Sequence, residues 1–253
     1  MPTTETDANK RQKPDFSVEP HFQSLGNEFA LPVTPAALHN PCLIKRNEPL
    51  MNRLGFHPES SIYQNVNNLF SGNANFMGYS PVAQQYAGHQ FGNFNPFLGD
   101  GRSALAAEIT TTSAPENLPT KPTKSQHWQL SIKGIGPTPF SYQGDGHASL
   151  NECLHEYECS QRLASLKVPT VQALCVIKGE QHIYRHGFQD SAMLTRVAPS
   201  FVRFGTFELF YFQRNTDALR ALADHVIHYH YTNSEAFEEK KYAHFFKHVV
   251  INT

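Results

Sequence analysis

His127-Trp-Gln-Leu-Ser-Ile-Lys-Gly134 alternates polar and apolar side chains until a lysine and a glycine end the run. A period of two predicts a β-strand, with Trp128, Leu130 and Ile132 on one face and Lys133 at its end. Upstream, Leu98-Gly-Asp-Gly-Arg-Ser-Ala-Leu-Ala-Ala-Glu-Ile109 reads as a turn feeding a second strand. Residues 110–126, rich in Pro, Thr and Ser and without periodicity, predict an exposed loop that makes the two strands an antiparallel hairpin. Downstream, residues 135–146 form a long Gly/Pro loop. Leu150, Leu154, Tyr157 and Leu163 then recur at helical spacing, predicting a helix over about 148–166 that Pro169 ends. Three short strands are expected next, over 171–178, 182–185 and 193–197, with Gly179-Glu180 as a tight turn between the first two. After Gly205 the pattern becomes helical, over about 207–213, 217–229 and 234–250.

This order predicts an α+β fold. A flexible tail covers residues 1–20. Residues 21–205 form a small mixed, β-rich lobe, irregular up to residue 80 apart from a short helix within 58–70. Residues 206–253 begin a helical lobe. Phe207, Leu209, Phe210, Leu219, Leu222, Val226, Phe245 and Val249 lie on these last helices. They are expected to stay exposed for want of partners within the chain.

Composition excludes several classes of function. The formal net charge of −1 argues against a nucleic-acid partner, which needs clustered positive charge. Cys42, Cys153, Cys159 and Cys175 form no CxxC pair, so reduced thiols are expected rather than a disulfide framework or a structural zinc site. The first 14 residues are polar and include Glu5 and Asp7, unlike a secretory or mitochondrial leader. No apolar run approaches the roughly 18 residues of a membrane span, so a cytoplasmic protein without a membrane partner is expected. There is no Gly-x-Ser-x-Gly elbow and no His-Glu-x-x-His helix, and so no support for a hydrolase.

The residues left to carry chemistry surround Lys133. Its ammonium projects past the strand end, and Glu156 on the following helix is placed to hold it while leaving donors free for phosphate oxygens. Without that partner, Lys133 reads as a solvated strand cap and Glu156 as an exposed helix carboxylate. Two short turns flank the strand, Gly99-Asp-Gly-Arg102 and Gly144-Asp-Gly-His147. Glycines there let backbone N–H groups approach an anion, and Arg102 adds a planar cation. Arg196 and Arg203 are seven residues apart across Pro199 and face one pocket if the segment turns, or solvent if it does not. His225, His228 and His230 lie close together, the first two on one helix face, but Asp224 is the only acid beside them, so no metal site is expected there.

Five runs together resemble the selenoprotein O (SelO, YdiU-type) protein adenylyltransferases. They are Tyr86-Ala-Gly-His-Gln-Phe-Gly92, Leu98-Gly-Asp-Gly-Arg102, Ile132-Lys-Gly-Ile-Gly-Pro-Thr-Pro139, Gly144-Asp-Gly146 and Leu194-Thr-Arg-Val-Ala-Pro-Ser-Phe-Val-Arg-Phe-Gly205. The resemblance implies a protein-kinase-like fold that transfers AMP from ATP to Ser, Thr or Tyr hydroxyls of protein substrates. By motif, Lys133 resembles the ATP-phosphate lysine and Glu156 its helix partner. Gly99, Gly101, Arg102, Asp145, Gly146, Arg196 and Arg203 resemble the other nucleotide contacts. His147 departs from the pattern, standing where an arginine is expected. The resemblance also implies Mg2+ or Mn2+, with the metal ligands and the catalytic aspartate in a C-terminal part beyond residue 253. On that ground no catalytic residue and no metal ligand is assigned here, and the chain alone is expected to be inactive. Asn215-Thr-Asp217 looks like the family's catalytic Asn-Thr-Asp, but it opens a helix and reads as an N-cap. The rival reading is a non-catalytic nucleotide-binding module or the remnant of a split gene.

Overall fold

A computed structural model describes residues 13–111, 126–231 and 240–252. In chain order its elements begin with β1 (Phe16–Val18), β2 (Ala30–Pro32), β3 (Cys42–Arg46), α1 (Glu48–Arg53), α2 (Ser61–Gln64) and α3 (Val66–Leu69). Next come β4 (Val82–Gln84), β5 (Gly88–Gln90), β6 (Asn93–Asn95), β7 (Ser103–Thr111), β8 (Gln126–Lys133) and β9 (Ala148–Ser149). The chain continues with α4 (Leu150–Ser165), β10 (Gln172–Tyr184), β11 (Phe188–Ala198), α5 (Phe204–Phe212), α6 (Thr216–His230) and α7 (Lys241–Asn252). The fold is α+β. Of the expected 110–126 loop, residues 112–125 lie outside the described ones, as do residues 1–12 of the expected tail and 232–239 before α7.

The main sheet runs β2-β4-β7-β8-β11-β10-β3, with β1 also on β7 and β9 also on β11. Every pairing is antiparallel. β8 is central because its alternation serves two layers. Trp128, Leu130 and Ile132 join a core with α1, α3 and Phe70 and Phe76. His127, Gln129, Ser131 and Lys133 therefore share the opposite face. Two separate covers pack on that opposite face. Helix α4 lies over β10 and β11 through Cys153, Tyr157, Val176 and Leu194. Helices α5 and α6 close over Phe22, Phe29, Val82 and Leu105. A polar stripe along β8 lies between the two covers.

Three expectations change. First, β10 runs unbroken through Gly179-Glu180, where a tight turn was expected. The register shift between Lys178 and His182 marks a bulge, and the 37–39 segment supplies its partners. Glu180 N donates to His39 O, and the Gln181 side chain bonds Ala37 O and His39 N. The hairpin turn comes later, closed by Arg185 N donating to Gly187 O at 2.8 Å. Second, Phe16–Val18 pairs with β7, and Phe16 is buried. Third, the apolar face of α5 and α6 is covered. Leu209, Phe210, Leu222 and Val226 are buried because the N-terminal Phe22 and Phe29 fold back over them. Tyr211, Phe212 and Phe246 remain exposed. The N-cap reading of Asn215 holds, since its side chain accepts from Ala218 N at 3.0 Å. Among the described residues no helix is long and apolar enough to cross a membrane.

Burial in this second core has a pH consequence. His225 packs edge-on against Phe22 and beside Tyr229. Burial, helped by neighbouring histidines, pushes its imidazole down to about 3 from 6.5. The unfolded chain binds this proton more readily, so stability falls as pH drops below 6.5. Between pH 6.5 and 5 the expected loss is about 2 kcal/mol. Urea unfolding of the wild type and His225→Leu checks it: the variant's stability curve is flatter over that interval by this amount.

Candidate functional site

At one end of the polar stripe the chain leaves β8 after Lys133 and returns as β9 to finish the same edge of β11. Ser149 then caps α4, accepting from Glu152 N. This short return sets the first turns of α4 beside the strand end. Glu152 and Glu156 are four residues apart and so share a helix face. Lys133 Nζ lies 2.8 Å from Glu152 Oε1 and 2.6 Å from Glu156 Oε2, with its side chain only 11% exposed.

Two arginines complete the cluster. Arg102 forks onto Glu152 at 2.8 and 3.2 Å, the bidentate geometry that suits a guanidinium. Arg196 projects from β11 on the Lys133 side of the sheet. It lies 3.5 Å from Glu156 and donates to Ser103 and Ser131 at 3.2 and 3.3 Å. Three cations thus converge on two carboxylates and leave a positive balance. Burial opposes ionisation of Glu152, but Lys133 and Arg102 outweigh it and hold the carboxyl below its ordinary range.

Arg203 stands one step away. Its guanidinium lies over the Tyr86 ring at 4.1 Å and 3.6 Å from Asp100 Oδ1. Phe201 lies between the two β11-side arginines: Arg196 faces its ring at 5.8 Å and Arg203 donates to its carbonyl. Asp100 is buried and accepts from Gln84 N and Tyr86 Oη. Burial raises its carboxyl, against the pull of Arg203.

The Gly99–Gly101 turn sits beneath the 138–141 segment. Thr138 donates to Asp100 O at 2.6 Å and Ser141 to Gly101 O. Asp145 and Gly146 are placed differently. Asp145 pairs with Arg185 at the far end of β10, whose hydrogen bond draws its carboxyl down to about 2. Asp145 and His147 line an open cleft with His39, Gln181 and Tyr184; Lys133 is not part of it. Gly146 closes the neck of the loop, accepting from Gly136 N at 3.1 Å. Its φ is +71°, and a Cβ would lie 1.9 Å from Gly136 O. Gly146→Ala is therefore expected to cost about 2–3 kcal/mol, from left-handed strain plus overlap. A thermal melt reads this as a Tm lower by about 4–12 °C.

The structure therefore brings together Lys133, Glu156, Arg102 and Arg196, places Arg203 beside them, and sets Asp145 and Gly146 apart at the loop's neck. Glu152, Asp100 and Arg185 escaped the sequence reading. Glu152 had a signal, its four-residue spacing from Glu156, and Asp100 sits within a quoted turn. Arg185 had none.

Comparison with known proteins first gives a class. The chain is similar to protein nucleotidyltransferases called YdiU. It is 38% identical over 224 residues to one from Pseudomonas putida (strain GB-1), covering 88% of this chain and 44% of that protein. It is 39% identical over 228 residues to one from Rhizobium leguminosarum bv. trifolii (strain WSM2304), covering 90% and 43%. With the Pseudomonas aeruginosa (strain LESB58) protein the identity is 36% over 236 residues, covering 93% and 46%. The chain spans under half the length of these relatives. The family model of protein adenylyltransferase SelO matches residues 13–253, and the chain belongs to that family.

Proposed function

We propose that this chain carries the ATP-gripping lobe of a SelO-type protein adenylyltransferase with a kinase-like division into lobes. Residues 21–205 are the nucleotide lobe and 206–253 the start of the second. The observation that carries the reading is the convergence of Lys133, Arg102 and Arg196 on Glu152 and Glu156. The cluster suits a polyphosphate in three respects. It is net positive. Lys133 spends two of its three N–H groups on carboxylates, leaving one. Arg196 Nε is buried without a hydrogen-bond partner.

In this reading Glu156 fixes the Lys133 rotamer, and Arg102 exchanges Glu152 for phosphate oxygens. Tyr86 keeps Arg203 flat beneath the same anion. Gly99, Gly101 and Gly146 keep the two turns narrow, and Asp145 anchors the second turn through Arg185. ATP, bound with Mg2+ or Mn2+, would give up AMP to a Ser, Thr or Tyr hydroxyl of a protein, the hydroxyl oxygen bonding the α-phosphorus as the bond to the departing pyrophosphate breaks. The chain's own residues place fixed positive charge where negative charge grows on the phosphates. Calorimetric titration with Mg-ATP tests the reading: saturable one-to-one binding is expected, and no heat of binding at millimolar nucleotide would overturn it.

A further inference from the structure

We propose that Glu19, His21 and His127 form a binding site for one divalent transition-metal ion of the zinc class, pinning the N-terminal segment to the sheet. The site lies at the opposite end of the β8 stripe from Lys133. One ligand atom from each of the three residues falls within 4.8 Å of the others. His21 Nε2 and Glu19 Oε2 are already 3.1 Å apart. Zinc bonds of about 2.0–2.1 Å at tetrahedral angles put ligand atoms about 3.3 Å apart, so no gap has to close by more than about 1.5 Å. The Glu19 side chain is 44% exposed and so free to adjust toward the two rings.

The surroundings resemble those of a built site. Thr110, directly opposite His127 in the β7–β8 ladder, holds its hydroxyl 3.0 Å from His127 Nδ1 and 3.4 Å from His21 Nε2. A hydroxyl on the ring nitrogen that does not ligate orients an imidazole, so Thr110 serves His127 through Nδ1, while its longer contact to His21 Nε2 is given up to the metal. Tyr229 of α6 packs against both rings, with centroids 4.2 and 4.9 Å away. The fourth position is open to water or to His228, which precedes Tyr229 and packs on its ring. Two imidazoles and one carboxylate select zinc over Mg2+ or Ca2+, which prefer all-oxygen sites.

The test uses the full chain, stripped with chelator and dialysed, then titrated with zinc chloride in a calorimeter. One Zn2+ per chain is expected, with a Tm rise of about 5 °C at saturation. His127→Ala and Glu19→Gln should each weaken binding about 100-fold, while circular dichroism shows an unchanged fold. If His127→Ala fails to fold, Glu19→Gln alone decides. Cys159→Ser removes the rival His155–Cys159 pair, 3.7 Å apart, and should leave binding intact. Mg2+ should give no heat. Absence of zinc binding, wild-type affinity in Glu19→Gln, or loss of binding in Cys159→Ser would each overturn the proposal.

Discussion

Lys133→Ala is expected to weaken ATP binding by about 100- to 1,000-fold, taking it below calorimetric detection. The wild-type ammonium does two jobs. It offers a charge-assisted donor to phosphate, worth about 1.5–3 kcal/mol. It also neutralises Glu152 and Glu156, which hold it at 2.8 and 2.6 Å. Without it, two carboxylates on one helix face meet an incoming triphosphate with Arg102 and Arg196 as the adjoining cations and Arg203 one step away. Their repulsion adds to the lost donor, and each 1.4 kcal/mol is about tenfold in affinity. Glu156→Gln separates the two jobs. It keeps the ammonium, held by Glu152, and removes one negative charge, so its loss should come from a loosened rotamer and stay near tenfold or less. Lys133→Arg is no rescue, because a planar guanidinium does not fit a slot shaped around a compact ammonium. Near-native affinity in the alanine variant, with its fold intact, would remove Lys133 from the proposed site.

Much of the positioning could be read from sequence because it rests on local periodicity. The β8 alternation, the α4 spacing and the Asn215 cap each involve residues within a few positions of one another. What escaped reading depends on distant cover. Gln129, Ser131 and Lys133 alternate as on a solvent-facing strand, yet all three are buried. Their cover comes from α4 on one side and from the fold-back of Phe22 with α5 and α6 on the other. The same fold-back hides Leu209 and Leu222, whose apolar face looked partnerless from the helices alone. Gly179-Glu180 looked like a turn because glycine usually interrupts strands. The partners that keep it within β10 lie some 140 residues earlier, as the His39–Gln181 bond shows. Asp145 matched its motif while standing apart from Lys133, because motif order does not report which loop end a side chain occupies.

The middle of the β8 stripe carries the largest expected stability effect. Glu108, 2% exposed on β7, accepts four hydrogen bonds. They come from Phe22 N at 2.8 Å, Gln23 N at 3.2 Å, Tyr79 Oη at 3.0 Å and Gln129 Nε2 at 3.1 Å. One carboxylate therefore ties the N-terminal segment, the approach to β4, and β8 to β7. Glu108→Leu would leave two backbone N–H groups, a phenol and an amide without partners. It is expected to cost about 3–5 kcal/mol, the range for breaking a buried polar network. Glu108→Gln is the discriminating partner. Its oxygen can keep Phe22 N and Gln129, and its NH2 can donate to Tyr79 Oη, leaving only the longer Gln23 contact opposed. It should cost about 1–2 kcal/mol. Burial raises the Glu108 carboxyl despite these four donors. The folded state therefore holds this proton more tightly than the unfolded one, and the group's contribution to stability declines as pH rises from 4.5 through the raised value. Glu108→Gln removes that decline, so its deficit against the wild type should narrow as pH rises from 4.5 to 7. Trp128, the single tryptophan, is buried on the adjacent strand and reports unfolding by fluorescence. Urea titrations at the two pH values give both quantities. A Leu variant within 1 kcal/mol of the wild type would mean that the N-terminal segment docks through Phe22 burial alone, at about 25 cal/mol per Å2 of apolar surface, with no help from the carboxylate.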